Sequence, residues 1–248
     1  MKNVRIAGWA AIGFVAVVVA LNVVENVGTG RPDPGAAAEE VARWATDAAP
    51  YLWASTMLVP VAWVLLALVT VTMWEKAGSA EQSMFSPMLA VLGSAMTMGT
   101  LSAAIAADAV LISSIEVLSA DAVEVLSGVA TALFLLNWAA LAVTLFGLSR
   151  TMLELRVAPR WTDRVSIAGS GLLVVGSMQS AAALNGVLPG LLLGLAGFAI
   201  WLLFLLVVGI RLIRADRTEA AVPTAAASRR SAAPSGHLLR PPTGHFEV

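Results

Sequence analysis

Apolar residues form six long stretches along this chain, and short polar segments separate them. A helix needs about 20 apolar residues to cross a hydrocarbon core of about 30 Å. Unpaired backbone groups are not tolerated in lipid, and these stretches are too long and too unbroken for barrel strands. The pattern predicts an all-α bundle of six transmembrane helices, over approximately residues 6–27, 52–74, 88–112, 123–148, 165–184 and 188–212.

Composition agrees with a membrane protein and divides the chain in two. Hydrophobic residues make up 58% of the chain and charged residues 12%, whereas a soluble globular domain has about 25% charged residues. From residue 215 onward the sequence is rich in Ala, Pro, Ser and Arg and has little to bury. We therefore predict a transmembrane domain over residues 1–214 and a disordered cytoplasmic tail over residues 215–248.

Basic residues are concentrated in alternate segments between the apolar stretches. The third and fifth connections contain none, whereas the fourth contains four arginines. If the N-terminus is cytoplasmic, only Arg31 and Arg43 of the 15 basic residues lie outside. The positive-inside rule therefore predicts that both termini are cytoplasmic. We expect the protein to span a bacterial cytoplasmic membrane several times.

The first apolar stretch has a second interpretation. Lys2 and Arg5 followed by an apolar run are also typical of a secretory signal. The run is long for such a signal, however, and no A-x-A-like cleavage site follows Val24. We expect a retained helix, and cleavage would leave five spans with the other loops oriented as before.

The first loop carries its own helical pattern. Val41, Trp44, Ala45 and Ala48 recur at the spacing of one helix face. This pattern is typical of a short helix lying at the outer surface of the membrane. A solvated linker with weak helicity is the equally supported alternative.

Small residues recur at helical spacing in three of the predicted helices, and helices in lipid associate through such residues. The candidates are Ala95, Gly99 and Ala103 in the third helix, Gly169 and Gly176 in the fifth, and Gly190 and Gly194 in the sixth. We expect these helices to form the closely packed interior of the bundle. A homodimer interface through Gly190 and Gly194 is the alternative.

Four polar residues within or at the ends of the apolar stretches are candidate functional residues. Glu25 and Asp108 both fall near the outer leaflet and could share an outward-facing pocket that binds a cation or passes a proton. Water could equally reach both carboxylates at the membrane boundary, which makes them ordinary loop residues. Asn137 lies near the centre of the fourth span, and Gln179 and Asn22 are its possible partners in interhelical hydrogen bonds.

The sequence offers no catalytic, metal-binding or cofactor-binding constellation. It has no cysteine, and both histidines, His237 and His245, lie in the tail. We therefore expect no enzyme, no cofactor and no nucleic-acid partner. The expected role is that of a structural or accessory component that contacts the bilayer and other membrane proteins or itself. The alternative is a small carrier or channel for a proton, a cation or a small solute that uses the outer carboxylates.

Several short features resemble one bacterial family. An Arg-Ile-Ala-Gly start at residues 5–8 opens the first span, and a polar exterior loop follows it. A basic turn with Pro159, Arg160 and Trp161 leads into a Gly-rich fifth span. Residues 1–214 thus resemble a family of six-helix integral membrane proteins classified as a domain of unknown function (the 4386 type). The resemblance implies a topology and adds no functional residues.

Overall fold

The protein is described here from a computed structural model that covers residues 2–24, 30, 32, 36–179 and 189–220. These residues include six α-helices: α1 (Lys2–Val23), α2 (Ala38–Ser79), α3 (Phe85–Ser114), α4 (Ala120–Glu154), α5 (Arg160–Met178) and α6 (Pro189–Ala220). All except α5 are long and apolar enough to cross a membrane, which makes five such helices in the described part of the chain.

Helix α5 is less apolar because charged residues occupy its first two turns. Arg160, Asp163 and Arg164 all lie within its first five residues. The final residues of the span predicted there, 180–184, lie outside the described residues. The described part of α5 therefore provides a shorter apolar segment than the sequence pattern indicated.

The helices form a ring in which each helix packs against its neighbours in the chain. α6 returns beside α1 and closes the ring. The two best-defined pairs run antiparallel. Gly8 lies beside Gly209 and Phe14 beside Trp201 in α1 and α6, and Ala90 lies beside Gly147 and Gly93 beside Thr144 in α3 and α4. α4 also contacts α2 and α6, and its most apolar segment is the most deeply buried of the five. α4 is therefore the central helix of the bundle.

Glycines let the backbones of neighbouring helices come close together. A methyl group added at Gly93 would meet the backbone of Thr144, and one added at Gly147 would meet that of Ala90. These two glycines join α3 to α4 from opposite sides of one interface. Such close approach is the main source of helix association in lipid, where burial of apolar surface contributes little.

The structure corrects the packing face predicted for α3. Ala95, Gly99 and Ala103 are exposed, and a methyl group added at Gly99 would meet nothing within 4 Å. The face that packs instead carries the buried residues Ala90, Gly93, Ser94, Thr97 and Ala104. α3 has small residues on two faces, and spacing alone does not distinguish the face that meets α4 from the face that meets lipid.

The glycines singled out in α5 and α6 make the close contacts predicted for them. Gly176 and Gly194 face each other, and the ring of Trp138 from α4 lies against both. Gly169 lies against Ile200, and Gly190 against the side chain of Gln179. The Gly190 and Gly194 face is thus used inside the protein.

The pattern in the first loop is helical, but it does not form a separate surface helix. It is the first part of α2, which runs unbroken for 42 residues, or about 63 Å at 1.5 Å per residue. Val41, Trp44, Ala45 and Ala48 are buried there. They pack with residues such as Leu111, near the end of α3, and Val123, near the start of α4. α2 therefore continues beyond the length that a bilayer requires and forms a small second core.

The end of the bundle that carries Arg150, Arg156 and Arg160 is called the arginine end below. Arg150 pairs there with Asp163 across α4 and α5, with 3.3 Å between Nη1 and Oδ2. α4 ends just beyond this pair, where Arg156 takes the left-handed conformation at φ 56°. At the same end α6 continues to Ala220, so the first residues of the predicted tail, 215–220, are helical. Residues 221–248 lie outside the described residues.

Replacing Gly194 with alanine tests whether close packing around Trp138 holds the bundle together. The added methyl group would overlap the Trp138 ring, so we expect Gly194→Ala to lower stability by about 1–3 kcal/mol. Gly99→Ala is the matched control, because its methyl group meets nothing and alanine favours a helix. Thermal unfolding of the detergent-solubilised protein would measure both, and equal stability of the two variants would contradict the packing described here.

Candidate functional site

A cavity of about 110 Å³ lies inside the ring, between α1, α2, α3, α4 and α6. Each helix contributes residues from one face. On α3 these include Thr97, Leu101, Ala104 and Asp108, spaced at i, i+4, i+7 and i+11, which is the spacing of a single helical stripe. From Thr97 to Asp108 the stripe spans about 16 Å along the helix axis. The cavity therefore extends from the middle of the bundle toward the end opposite the arginine end.

Polar side chains occur at two levels of the cavity. Asn22 and Asp108 lie at the upper level, toward the end opposite the arginine end. The Asn22 amide donates a 2.9 Å hydrogen bond to the carbonyl oxygen of Val18 in its own helix. Asp108 is the one acidic residue among the described residues that line the cavity, and no described lysine, arginine or histidine lines it. Among the described lining residues, Asp108 is therefore the one source of negative charge at the upper level.

Asp108 also borders a second, smaller depression between α2 and α3. This depression of about 20 Å³ shares Val59, Ile105 and Asp108 with the main cavity, and Trp53 and Thr56 also line it. The Asp108 side chain thus stands where the central cavity and an outer crevice between two helices adjoin.

Aromatic rings form much of the cavity wall. Trp201 is 1% exposed and packs edge-on against Phe14, with ring centroids 5.1 Å apart, and it stacks on Phe198 at 5.9 Å. Trp63 and Phe134 complete the aromatic lining from α2 and α4. Trp201 is held on two sides by neighbouring rings, so this part of the wall is preformed.

Three polar atoms of the lining residues have no hydrogen-bond partner among the described residues. They are the indole Nε1 atoms of Trp63 and Trp201 and the hydroxyl oxygen of Thr97. Roughly 90% or more of buried polar groups in proteins are hydrogen-bonded, and an unsatisfied one costs about 1–3 kcal/mol. Three such atoms on residues that line one cavity are therefore unusual. These three residues lie below Asp108, at the lower level of the cavity.

Asn137 takes part in a small network that borders the cavity. It is 4% exposed, and the Thr100 hydroxyl lies 2.9 Å from its Oδ1 atom. The same hydroxyl lies 2.9 Å from the carbonyl oxygen of Met96. Because a hydroxyl has one proton, it can donate to only one of these acceptors at a time. The Asn137 amide therefore retains capacity to bond another group.

The structure brings together two of the four candidate polar residues. Asp108 and Asn137 line the same cavity, together with Asn22. Gln179 does not reach Asn137, because it lies at the end of α5 with its side chain against Gly190. The hydrogen bond expected between Asn137 and Gln179 or Asn22 is replaced by the one with Thr100. Glu25 lies outside the described residues.

Sequence reasoning missed Thr97 and did not assign Trp63 and Trp201 to a site. Threonine is common in membrane helices, and tryptophans at membrane depth are mostly packing residues. The available signal was spacing, since Thr97 lies on the same helical stripe as Asp108. No group of three or more potential metal ligands occurs among the described residues.

Replacing Thr97 with valine tests whether its hydroxyl lacks a partner inside the protein. We expect Thr97→Val to leave the melting temperature unchanged or to raise it, because the variant removes a buried and unsatisfied oxygen. Thr144→Val is the matched control, since the Thr144 hydroxyl donates a 2.9 Å bond to the Ala140 carbonyl oxygen. The control should lose about 0.5–1.5 kcal/mol. An equal loss in both variants would show that Thr97 has a partner.

Comparison with known proteins adds no assignment to this site. The resemblance noted from the sequence stays a prediction. No protein family, no curated protein and no solved structure matches the chain.

Proposed function

We propose that this chain is a six-span protein of a bacterial cytoplasmic membrane that binds a small, largely apolar solute in its central cavity. It acts without catalysis, as an accessory component whose bound solute is its functional ligand. The cavity carries this proposal, because it combines an apolar and aromatic lining with a few polar groups. Binding sites for small molecules typically have this composition.

The charge distribution supports the proposed topology. Five described helices are apolar enough to cross the membrane, and α5 together with residues 179–184 would supply the sixth span. The arginine end would be cytoplasmic, as the positive-inside rule favours. The cavity would then open toward the exterior leaflet.

The contact between α1 and α6 supports a retained first helix. Gly8 and Gly209 lie against each other, and Ala7, Ala11 and Phe14 of α1 are buried in the core. Removing α1 would open the ring and expose one wall of the cavity. A cleaved signal has no need of such an interface.

A carrier role is the second candidate, and the position of Asp108 favours it. This carboxylate borders both the central cavity and the crevice between α2 and α3. A solute could pass from one to the other if the two helices moved apart. Solute uptake into liposomes that contain the purified protein would distinguish a carrier from a protein that only binds.

Cysteine labelling tests the topology directly, because the chain has no native cysteine. We expect Arg156→Cys in intact cells to resist a membrane-impermeant maleimide and Asp121→Cys to react with it. Both residues are exposed in the structure, so accessibility depends on the side of the membrane. Permeabilised cells serve as the control, in which both should react. The reverse pattern in intact cells would contradict the proposed orientation.

Filling the cavity tests the proposed binding. Ala104 is 5% exposed and lines the cavity, so Ala104→Leu should occupy its space and abolish binding of a neutral probe such as benzyl alcohol. Ala103→Leu is the matched control, because Ala103 is its exposed neighbour. Saturation-transfer NMR in detergent micelles would report binding, with micelle partitioning subtracted. Equal signals from both variants would refute a specific site.

A further inference from the structure

We propose that the cavity selects small amphiphilic monocations, with an ammonium group at Asp108 and an apolar body between the aromatic rings. The inference rests on the proposed function and assigns a ligand class to the same site. The class includes arylalkyl and short alkyl amines.

The sign of the charge follows from the lining. Asp108 is the one titratable side chain among the described residues that line the cavity. No described basic side chain lines the cavity to bind an anion, whereas an ionised carboxylate attracts a cation. Asp108 also interacts within the protein, but two carboxylate oxygens offer about four acceptor sites and can serve both partners.

The position of Asp108 fixes the orientation of the ligand. It lies at the upper level, about 16 Å along α3 from Thr97. A charged head at this level remains near the end of the bundle, where desolvation costs less than at the membrane centre. The rest of the molecule would then extend downward between Phe14, Phe134 and Trp201.

The size of the cavity limits the apolar body. Its volume is about 110 Å³, and an engineered apolar cavity of about 150 Å³ in another protein binds benzene. The cavity therefore holds at most one ring or a short alkyl chain below the head group. The aromatic walls suit such a body, and their faces also attract a nearby cation.

The lower level offers no negative charge to a second ammonium group, because Asp108 is the one acidic residue among the described residues that line the cavity. The unpartnered groups of Trp63 and Trp201 are indole N–H groups, which donate hydrogen bonds and cannot accept them. A second ammonium group is also only a donor, so it would gain nothing from these two residues. The site therefore favours a monoamine over a diamine.

Paired probes of similar shape test this selectivity. We expect the intact protein to bind benzylamine about tenfold more tightly than benzyl alcohol, which corresponds to about 1.4 kcal/mol, because its hydrogen bond to Asp108 is between charged groups. Asp108→Asn should reduce the ratio of the two affinities to about one, because it removes the charge that distinguishes the two probes. A xylylene diamine should bind no better than benzylamine. Isothermal titration in a nonionic detergent would measure all three probes.

Asp121→Asn is the matched control, because Asp121 is exposed at the start of α4 and does not line the cavity. It should keep the tenfold preference, and thermal unfolding would verify that both variants fold. If benzyl alcohol binds the intact protein but not Ala104→Leu, and benzylamine gains nothing, the selectivity is refuted and the binding function stands. If neither probe binds the intact protein, both proposals fail. A preference that survives in Asp108→Asn would also refute the role of Asp108.

Discussion

Close approach of helix backbones is the interaction on which this bundle depends. Lipid is as apolar as a leucine side chain, so helices inside a membrane gain little by hiding apolar surface from it. Packing must supply the attraction, and the ring of Trp138 does so for three helices at once. It extends from α4 over Gly176 of α5 and Gly194 of α6, where any larger residue would meet it. One aromatic side chain and two glycines thus fix the relative positions of α4, α5 and α6.

Small residues leave a cavity, instead of allowing close packing, where neighbouring helix backbones stay apart. Ala62, Ala104 and Ala130 line the cavity on three different helices. A small side chain leaves empty space if no neighbouring backbone moves in to fill it. The aromatic pair Phe14 and Trp201 closes the cavity on the α1 and α6 side. Small residues therefore allow close packing in one part of the bundle and leave a cavity in another.

The cavity links this packing to the proposed function. Its polar groups come from five helices, so binding would depend on the assembled ring. α1 and α6 approach closely at Gly8 and Gly209, and together they supply Asn22 and Trp201 to the lining. A carboxylate at one end and indole N–H groups at the other would give the site a direction, with a charged head above and an apolar body below.

The sequence by itself determined the all-helical class, five helices that are long and apolar enough to cross a membrane, and the closely packed glycines of α5 and α6. These follow from local properties, because the length of an apolar stretch and the spacing of small residues are written along one helix. Tertiary structure alone decided which face of α3 packs, so that Gly99 is exposed and Gly93 is buried. The tertiary structure also placed Asp108 in the same cavity lining as Asn137, Trp63 and Trp201. It extended α2 through the segment that the sequence pattern assigned to the first loop. Those outcomes depend on which helices become neighbours, and no pattern within a single helix specifies its partner.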